Sequence, residues 1–173
     1  MNIRNFEFKA RVDDIEKLEN KLLALGPKFL GVDHQVDTYF NTGVGRLKLR
    51  EGNIENALIN YEMENIAGSK ESTIVLYKHL PDPALKKILT AQMGVKVIVD
   101  KKRKIYFIDN VKFHFDRVEG LGEFMEVEAI DEDGSLGIDH IKAQCEHYSN
   151  FFEIEPQHYI SHSYSDLILQ KKG

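Results

Sequence analysis

The sequence predicts an α+β fold in which a long antiparallel β-sheet curls or closes into a barrel, with a few flanking helices. Strand-like runs separated by turn residues occupy most of the 173 residues, whereas helical patterns are few. Several runs alternate apolar side chains with Glu, Asp, Lys or Arg, as "FMEVEAI" does at 124–130. Eight or nine strands in one open sheet would leave reactive edges, so we expect the sheet to curl or close.

The N-terminal half starts with a strand and a helix and continues as antiparallel hairpins. The strand "NFEFKAR" leads into "VDDIEKLENKLLALG", a predicted amphipathic helix capped by Asp13 or Asp14 and ended by Gly26-Pro27. Turns rich in Gly and Asn then separate four predicted strands. These strands cover 34–41, 45–51, 56–64 and 71–78.

The C-terminal half begins with a helix and returns to strands. This second helix is predicted over 83–93, opened by "PDP" and closed by Gly94. A third helix follows "DEDGSLG", and the tail "HYISHSYSDLILQKKG" is compatible with a strand or a short helix. The strands between the second and third helices are predicted over 96–102, 104–109, 111–117 and 121–130.

Composition excludes several classes of function. The formal net charge of −5 argues against non-specific binding along nucleic acid, which needs a basic surface. The single cysteine, Cys145, cannot form an internal disulfide, and no apolar run is long enough for a secretory signal or a membrane span. We therefore expect a cytoplasmic protein without a nucleic-acid or membrane partner.

The apolar residues 167–169 are suited to covering a sheet edge or meeting a partner chain, so a homodimer is compatible with the sequence.

The polar faces of the strands carry an unusual density of charge. Residues that share such faces are Arg46, Lys48 and Arg50, His114 and Asp116, and Glu126 and Glu128. A solvated sheet face would produce the same alternation. If the sheet closes, these side chains would line a wet bore in which carboxylates hold a divalent metal and cations hold a polyanion. The pattern alone leaves both interpretations open.

Six segments, in order along the chain, resemble the CYTH superfamily of triphosphate tunnel enzymes. They are "NFEFKARV", "DTYF" with "GRLKLRE", "ALINYE", "KKRKIYF", "HFDRVEGLGEFMEVE" and "SYSDL". The resemblance runs from the first strand to the tail and implies one domain over 1–173, built as a closed eight-stranded antiparallel β-barrel. It also implies Mg²⁺ or Mn²⁺ as cofactor and a nucleoside triphosphate or polyphosphate as ligand.

The resemblance further implies a role for each charge of the bore. The implied metal ligands are Glu7, Asp116, Glu126 and Glu128. The implied phosphate-binding residues are Lys9, Arg46, Lys48, Arg50, Lys70, Lys101 and Arg103. Lys9, Arg50 and Asp116 are the implied catalytic residues, Asp116 as a metal ligand or as the acceptor of the nucleophile's proton. His114 is compatible with a base or with a hydrogen-bonded structural histidine.

Departures from the family pattern bear on the activity. Asn5 stands where the family has the first glutamate of Glu-x-Glu-x-Lys, and Met63 stands where cyclase-like members often have arginine. Tyr61-Glu62 lacks the lysine that is typical of the triphosphatase branch. That lack, the Lys70-x-Ser72 spacing and "SYSDL" favour a class IV adenylyl cyclase-like enzyme that converts ATP to cyclic AMP and pyrophosphate. The alternatives are a triphosphatase acting on tripolyphosphate or an organic triphosphate, and a module that binds a nucleotide or polyphosphate without turnover.

Overall fold

A computed structural model describes residues 2–63 and 67–173 of the chain. Its strands are β1 (Asn2–Arg11), β2 (Lys28–Phe40), β3 (Arg46–Glu51), β4 (Asn56–Met63), β5 (Lys70–Lys78), β6 (Val95–Ile108), β7 (Val111–Val118) and β8 (Gly122–Asp131). They pair as antiparallel neighbours in the closed order β1-β5-β4-β3-β2-β6-β7-β8. The predicted closed eight-stranded barrel is therefore confirmed.

Four α-helices flank the barrel. They are α1 (Ile15–Leu23), α2 (Pro83–Met93), α3 (Ile138–Phe151) and α4 (Tyr164–Lys172). Local capping explains where three of them begin, because the side chains of Asp14, Asp82 and Ser163 each accept a backbone N–H of the first turn. Within the described ranges, none of the helices is long and apolar enough to cross a membrane.

Two strands differ from the sequence prediction. The predicted strands 96–102 and 104–109 are one continuous strand, β6, because the charges of Lys101 and Arg103 are paired inside the barrel and do not interrupt it. β2 begins at Lys28 instead of near residue 34, since its first half pairs with the second half of this longer β6. A register shift beside Gly31, whose φ is 140°, lets the strand continue through the glycine. The tail forms a helix, α4.

The main hydrophobic core lies outside the barrel wall, between β1, β7 and β8 and the helices α1 and α3. Phe8, Phe113 and Met125 point outward into this core, and Phe113 meets the rings of Tyr148 on α3 and of Phe152 just after it. Since successive side chains of a strand point to opposite faces, the charged residues between these apolar ones point into the barrel.

A second apolar cluster closes one end of the barrel. Phe124 and Val97 pack there against Tyr164 and Leu167 of α4. The ring of Tyr164 lies 5.0 Å from that of Phe124, centroid to centroid. The chain before α4 is tied to the first strand, because Ile160 donates its backbone N–H to the carbonyl of Lys9. We call this end, which α4 covers, the closed end.

Candidate active site

The barrel encloses a cavity of about 650 Å³. This volume lies in the range of small-molecule binding sites. All eight strands contribute inward-facing side chains to it, and Ser163 and Tyr164 line it at the closed end. At the opposite end, which we call the mouth, the lining is mainly apolar. The apolar residues at the mouth are Ile3, Leu30, Ile54, Leu80, Phe107 and Ile130, and the polar residues beside them are Asn56, Lys78, His79 and Glu132.

Three glutamates from β1 and β8 meet on one side of the cavity, and we call Glu7, Glu126 and Glu128 the carboxylate cluster. Glu7 lies opposite Glu128 in the pairing of β1 with β8. His114 of β7 lies opposite Glu126, and its Nδ1 is 3.7 Å from a Glu126 oxygen and 4.0 Å from a Glu128 oxygen. The ligand atoms of His114, Glu126 and Glu128 all lie within 4.8 Å of one another.

The carboxylate cluster concentrates more negative charge than its surroundings neutralise. Burial and then the charges of Glu126 and Glu128 raise the pKa of Glu7 well above its usual range. Burial and then Glu126 raise the pKa of Glu128 to about 7. Although burial acts to raise the pKa of Glu126 as well, Lys9, His114 and Arg103 hold it well below the usual range. A bound cation would stabilise these closely spaced carboxylates, because it would offset their mutual repulsion.

His114 has no hydrogen-bond partner at either ring nitrogen among the described residues, although its side chain is only 1% exposed. Burial and then the charge of Arg103 lower its pKa to about 3. The imidazole is therefore neutral at physiological pH, and Nδ1 is the ring nitrogen that lies nearest the carboxylate cluster. The role of His114, as a base or as a structural histidine, stays a prediction.

Cations occupy the wall across the cavity. Asp37 on β2 is their shared counterion: it accepts two hydrogen bonds from Arg50, of 2.9 and 2.8 Å, and one of 2.9 Å from Lys101. The Lys48 ammonium lies 3.3 Å from the same carboxylate. Burial and then the charges of Arg103, Arg50 and Lys48 lower the pKa of Lys101 well below its usual range. Arg50 also lies 3.5 Å from Glu55, which pairs in turn with Lys112. Two carboxylates therefore face four cations, and an anion in the cavity would compensate the surplus of positive charge.

Arg103 connects these cations to the carboxylate cluster. Its guanidinium donates two hydrogen bonds of 2.7 Å to Asp116 and one of 3.2 Å to Glu126. Lys9 lies 3.8 Å from Glu126 and 4.0 Å from the centroid of the Tyr164 ring. Basic and acidic groups therefore alternate along one continuous surface of the cavity.

Two predicted site residues, Asp116 and Arg46, are not among the residues that line the cavity, and their charged groups are engaged beside it. Asp116 is fully buried and accepts a hydrogen bond of 2.7 Å from the Tyr164 hydroxyl in addition to those from Arg103. Arg46 donates to Asp166 and to the Ser163 hydroxyl, both at 2.7 Å, and so anchors α4. Asp116 is therefore placed to orient Arg103, and Arg46 is placed to fix α4 over the closed end.

The positions that depart from the family pattern have distinct surroundings. Asn5 lines the cavity, is buried and has no partner for its side-chain oxygen among the described residues. Lys70 also lines the cavity and donates a hydrogen bond of 3.0 Å to the carbonyl of Ser161. Glu62 is exposed on the outer face of β4, so a lysine at that position would point away from the cavity. The side chain of Met63 lies outside the described residues.

Sequence reasoning missed an apolar side of the cavity, which we call the apolar wall. It consists of inward-facing residues of β4 and β5: Ala57, Ile59, Tyr61, Ile74 and Leu76. The segments "ALINY" and "TIVLY" gave only a weak signal, because Leu58 and Val75 are aliphatic residues on the opposite face. Asp37 was missed as well, although it lies two residues before the inward-facing Tyr39 on the same strand.

Comparison with known proteins is consistent with this architecture. The model of the CYTH domain family matches residues 4–155. A protein of Methanocaldococcus jannaschii described as a "putative adenylate cyclase" is 29% identical over 132 residues, which cover 70% of this chain and 74% of that protein. A solved structure from Pyrococcus horikoshii OT3 has a TM-score of 0.75 and 25% identity, with 94% of this chain and 98% of that chain covered.

A more distant structure, of a protein from Hippeastrum, has the same fold. The Hippeastrum protein HpAC1, described as a "putative adenylyl cyclase" that reveals a dominant triphosphatase activity, has a TM-score of 0.62. The match covers 100% of this chain and 96% of that one at 16% identity. At that identity the likeness shows the shared fold alone.

Proposed function

The chain belongs to the CYTH domain family, and we propose that it is a divalent-metal-dependent enzyme that cyclises a nucleoside triphosphate, as in the class IV adenylyl cyclase-like branch. The observation that carries the proposal is the division of one cavity among a carboxylate cluster, a set of cations and an apolar wall. A metal ion, a triphosphate and an organic group each need one of these three surfaces.

The residues of the carboxylate cluster fit a hard divalent cation. Glu7, Glu126 and Glu128 would hold it, because carboxylate oxygens are the ligands that Mg²⁺ and Mn²⁺ prefer. The raised pKa values of Glu7 and Glu128 support this assignment, since a cation would relieve the repulsion that causes them. When bound, the metal would neutralise charge on phosphate oxygens. Asp116 is proposed to orient Arg103 instead of binding the metal, because Arg103 and Tyr164 already donate to it.

The cations are proposed to bind the triphosphate. The set consists of Lys9, Lys48, Arg50, Lys70, Lys101 and Arg103, and all six line the cavity. Guanidinium groups donate in pairs to phosphate oxygens, whereas ammonium groups act as point charges. Phosphoryl transfer depends mainly on positioning and charge stabilisation, so cations fixed by Asp37 and Asp116 supply a large part of what the reaction needs.

The apolar wall is proposed to hold the nucleoside. In the described part of β4, the inward-facing side chains are Ala57, Ile59 and Tyr61, which include no cation that could activate water beside the triphosphate. Cyclisation needs no water: the ribose 3′-oxygen forms a bond to the α-phosphorus, the bond from that phosphorus to the bridging oxygen breaks, and pyrophosphate leaves. The hydroxyl proton passes to a base in the cavity.

Product analysis tests the proposal. The purified chain is incubated with ATP, and separately with tripolyphosphate, in Mg²⁺ and in Mn²⁺. We expect cyclic AMP and pyrophosphate from ATP, and we expect the double variant Glu126→Gln with Glu128→Gln to abolish them. Glu123→Gln is the matched control, because Glu123 lies on the same strand but forms an outer ion pair of 3.2 Å with Arg117.

The other outcomes reassign the chain. ADP with orthophosphate from ATP, or pyrophosphate from tripolyphosphate, would make it a triphosphatase. Absence of turnover, combined with a higher Tm in the presence of ATP, would make it a nucleotide-binding module. The cytoplasmic location, the homodimer and the absence of nucleic-acid and membrane partners stay predictions.

A further inference from the structure

His114 is a buried polar side chain that faces the carboxylate cluster and that the proposed phosphate chemistry does not use. It lies near the middle of β7, flanked by the outward-facing Phe113 and Phe115 of the core, which fix the direction of the ring. Its Nδ1 approaches Glu126 and Glu128 to 3.7 and 4.0 Å. These separations are too long for hydrogen bonds and leave room for an ion that all three residues could contact.

Little else in the cavity engages the nitrogen atoms of the His114 ring. Neither nitrogen has a hydrogen-bond partner among the described residues, which is unusual for a side chain that is 1% exposed. An imidazole nitrogen beside carboxylates in a buried site is a typical ligand set for a transition metal ion.

We propose that His114 supplies a nitrogen ligand to the cation held by Glu126 and Glu128, so that this site selects a first-row transition ion such as Mn²⁺ over Mg²⁺. The inference rests on the proposed function, since it assumes that the carboxylate cluster binds a divalent ion. It adds the ligand type and the selectivity. Both follow from the donor atoms and do not depend on whether the triphosphate is cyclised or hydrolysed.

The physical reason for the selectivity is the donor atom. Mg²⁺ is bound almost entirely by oxygen and gives up its water molecules reluctantly. Imidazole nitrogen is a favourable ligand for the later first-row divalent ions and is compatible with Mn²⁺. Replacing one water by a fixed nitrogen therefore raises the affinity for Mn²⁺ more than the affinity for Mg²⁺.

The test is electron spin-echo envelope modulation of Mn²⁺ added to the metal-free chain of 173 residues. A coordinated imidazole modulates the Mn²⁺ echo through its nitrogen, and labelling all histidines with ¹⁵N changes the modulation frequencies. We expect nitrogen modulation that changes on labelling. This measurement uses the wild-type chain, so it stays decisive even if substitution of the buried ring prevents folding.

Calorimetric titration of Mn²⁺ and Mg²⁺ gives the second readout. We expect His114→Gln to lower the Mn²⁺ affinity at least about tenfold, equivalent to about 1.4 kcal/mol, while the Mg²⁺ affinity changes little. His162→Gln is the matched control: His162 also lines the cavity, but it lies at the closed end with its Nδ1 2.8 Å from the Ser161 hydroxyl. The control should keep both the affinity and the nitrogen modulation.

The outcomes separate this inference from the proposed function. Tight Mn²⁺ binding without nitrogen modulation, or with equal losses for Mn²⁺ and Mg²⁺ in His114→Gln, would overturn the role of His114 and leave the metal-dependent enzyme in place. Failure of both ions to bind the wild-type chain, alone and with tripolyphosphate, would overturn the metal site and with it the proposed function.

Discussion

The wall formed by β7, β8 and β1 and the wall formed by β4 and β5 bury their apolar side chains on opposite faces of the barrel. The first wall buries them on its outer face, and the second on its inner face. In the first, α1 and α3 cover the outside, so Phe8 and Phe113 point outward into a core while Glu126 points inward. In the second, outer residues such as Val75 and Tyr77 are exposed, and the aliphatic side chains of the apolar wall point inward.

This difference shows what determines the polarity of the cavity. An alternating strand has one apolar face, and that face turns toward whatever covers it. Where helices cover the barrel, the charged face is left for the cavity. On β4 and β5, where no helix covers the outer face, both faces carry apolar residues, and the inward-facing ones line the cavity. The separation of a charged side from an organic-binding side thus follows from the placement of two helices.

The largest expected contrast between the two walls is in stability. Arg103→Met removes the partner of Asp116 and Glu126 and leaves buried carboxylates without their cation, so we expect it to lower the free energy of unfolding by about 3–5 kcal/mol. Ile59→Val in the apolar wall should lower it by only about 0.5–1.5 kcal/mol. Urea denaturation at pH 7 measures both, and equal effects would contradict the comparison.

A smaller effect concerns the pH dependence of the charged side. The pKa of Glu128 is about 7 in the folded chain and near 4.5 when unfolded, so the folded state binds its proton more tightly. The resulting stabilisation is complete below about pH 4.5 and is lost as the pH rises to about 7. Glu128→Gln should therefore gain stability relative to the wild type across this interval, by about 1–3 kcal/mol at pH 7.5.

Thermal unfolding of both proteins in EDTA at several pH values measures that difference. The low pKa of His114 makes stability rise with pH between about 3 and 6.5, which opposes the effect of Glu128. Because both proteins contain His114, its contribution largely cancels when they are compared. A difference in stability that stays constant from pH 4.5 to 7.5 would show that Glu128 does not titrate in this range.

The sequence predicted most of the barrel because its strands are strongly alternating and separated by turn residues. It could not settle which face of each strand pointed inward, since alternation is the same whether the charged face meets solvent or a bore. The resemblance to the CYTH family resolved this for Lys48, Glu126 and Glu128, all of which line the cavity.

Other features depended on contacts between residues far apart in the chain. The roles of Asp37 and Asp116 depend on the cations that reach them, and the pairing of β2, β6 and β7 brings those cations close. The role of Arg46 at the closed end depends on α4, whose helical state the tail sequence left open. The apolar wall was missed because the site was predicted from charged residues, whereas β4 and β5 turn aliphatic residues inward.

The smallest expected effect tests whether the apolar wall holds the organic part of the substrate. Ile74 lines the cavity and lies opposite Ile3 and Tyr61 in the strand pairing, whereas its neighbour Val75 points outward and is 47% exposed. Ile74→Asn should weaken ATP binding about tenfold, or by about 1.4 kcal/mol, through the loss of apolar contact.

The same substitution should leave the binding of tripolyphosphate unchanged, because the inorganic anion needs only the cations. Val75→Asn, the matched control on the outer face, should change neither ligand. Calorimetric titration of ATP and tripolyphosphate against the two variants measures the effect. If Ile74→Asn weakened both ligands equally, the apolar wall would act through the cations it adjoins, and the two sides of the cavity would not divide the substrate between them.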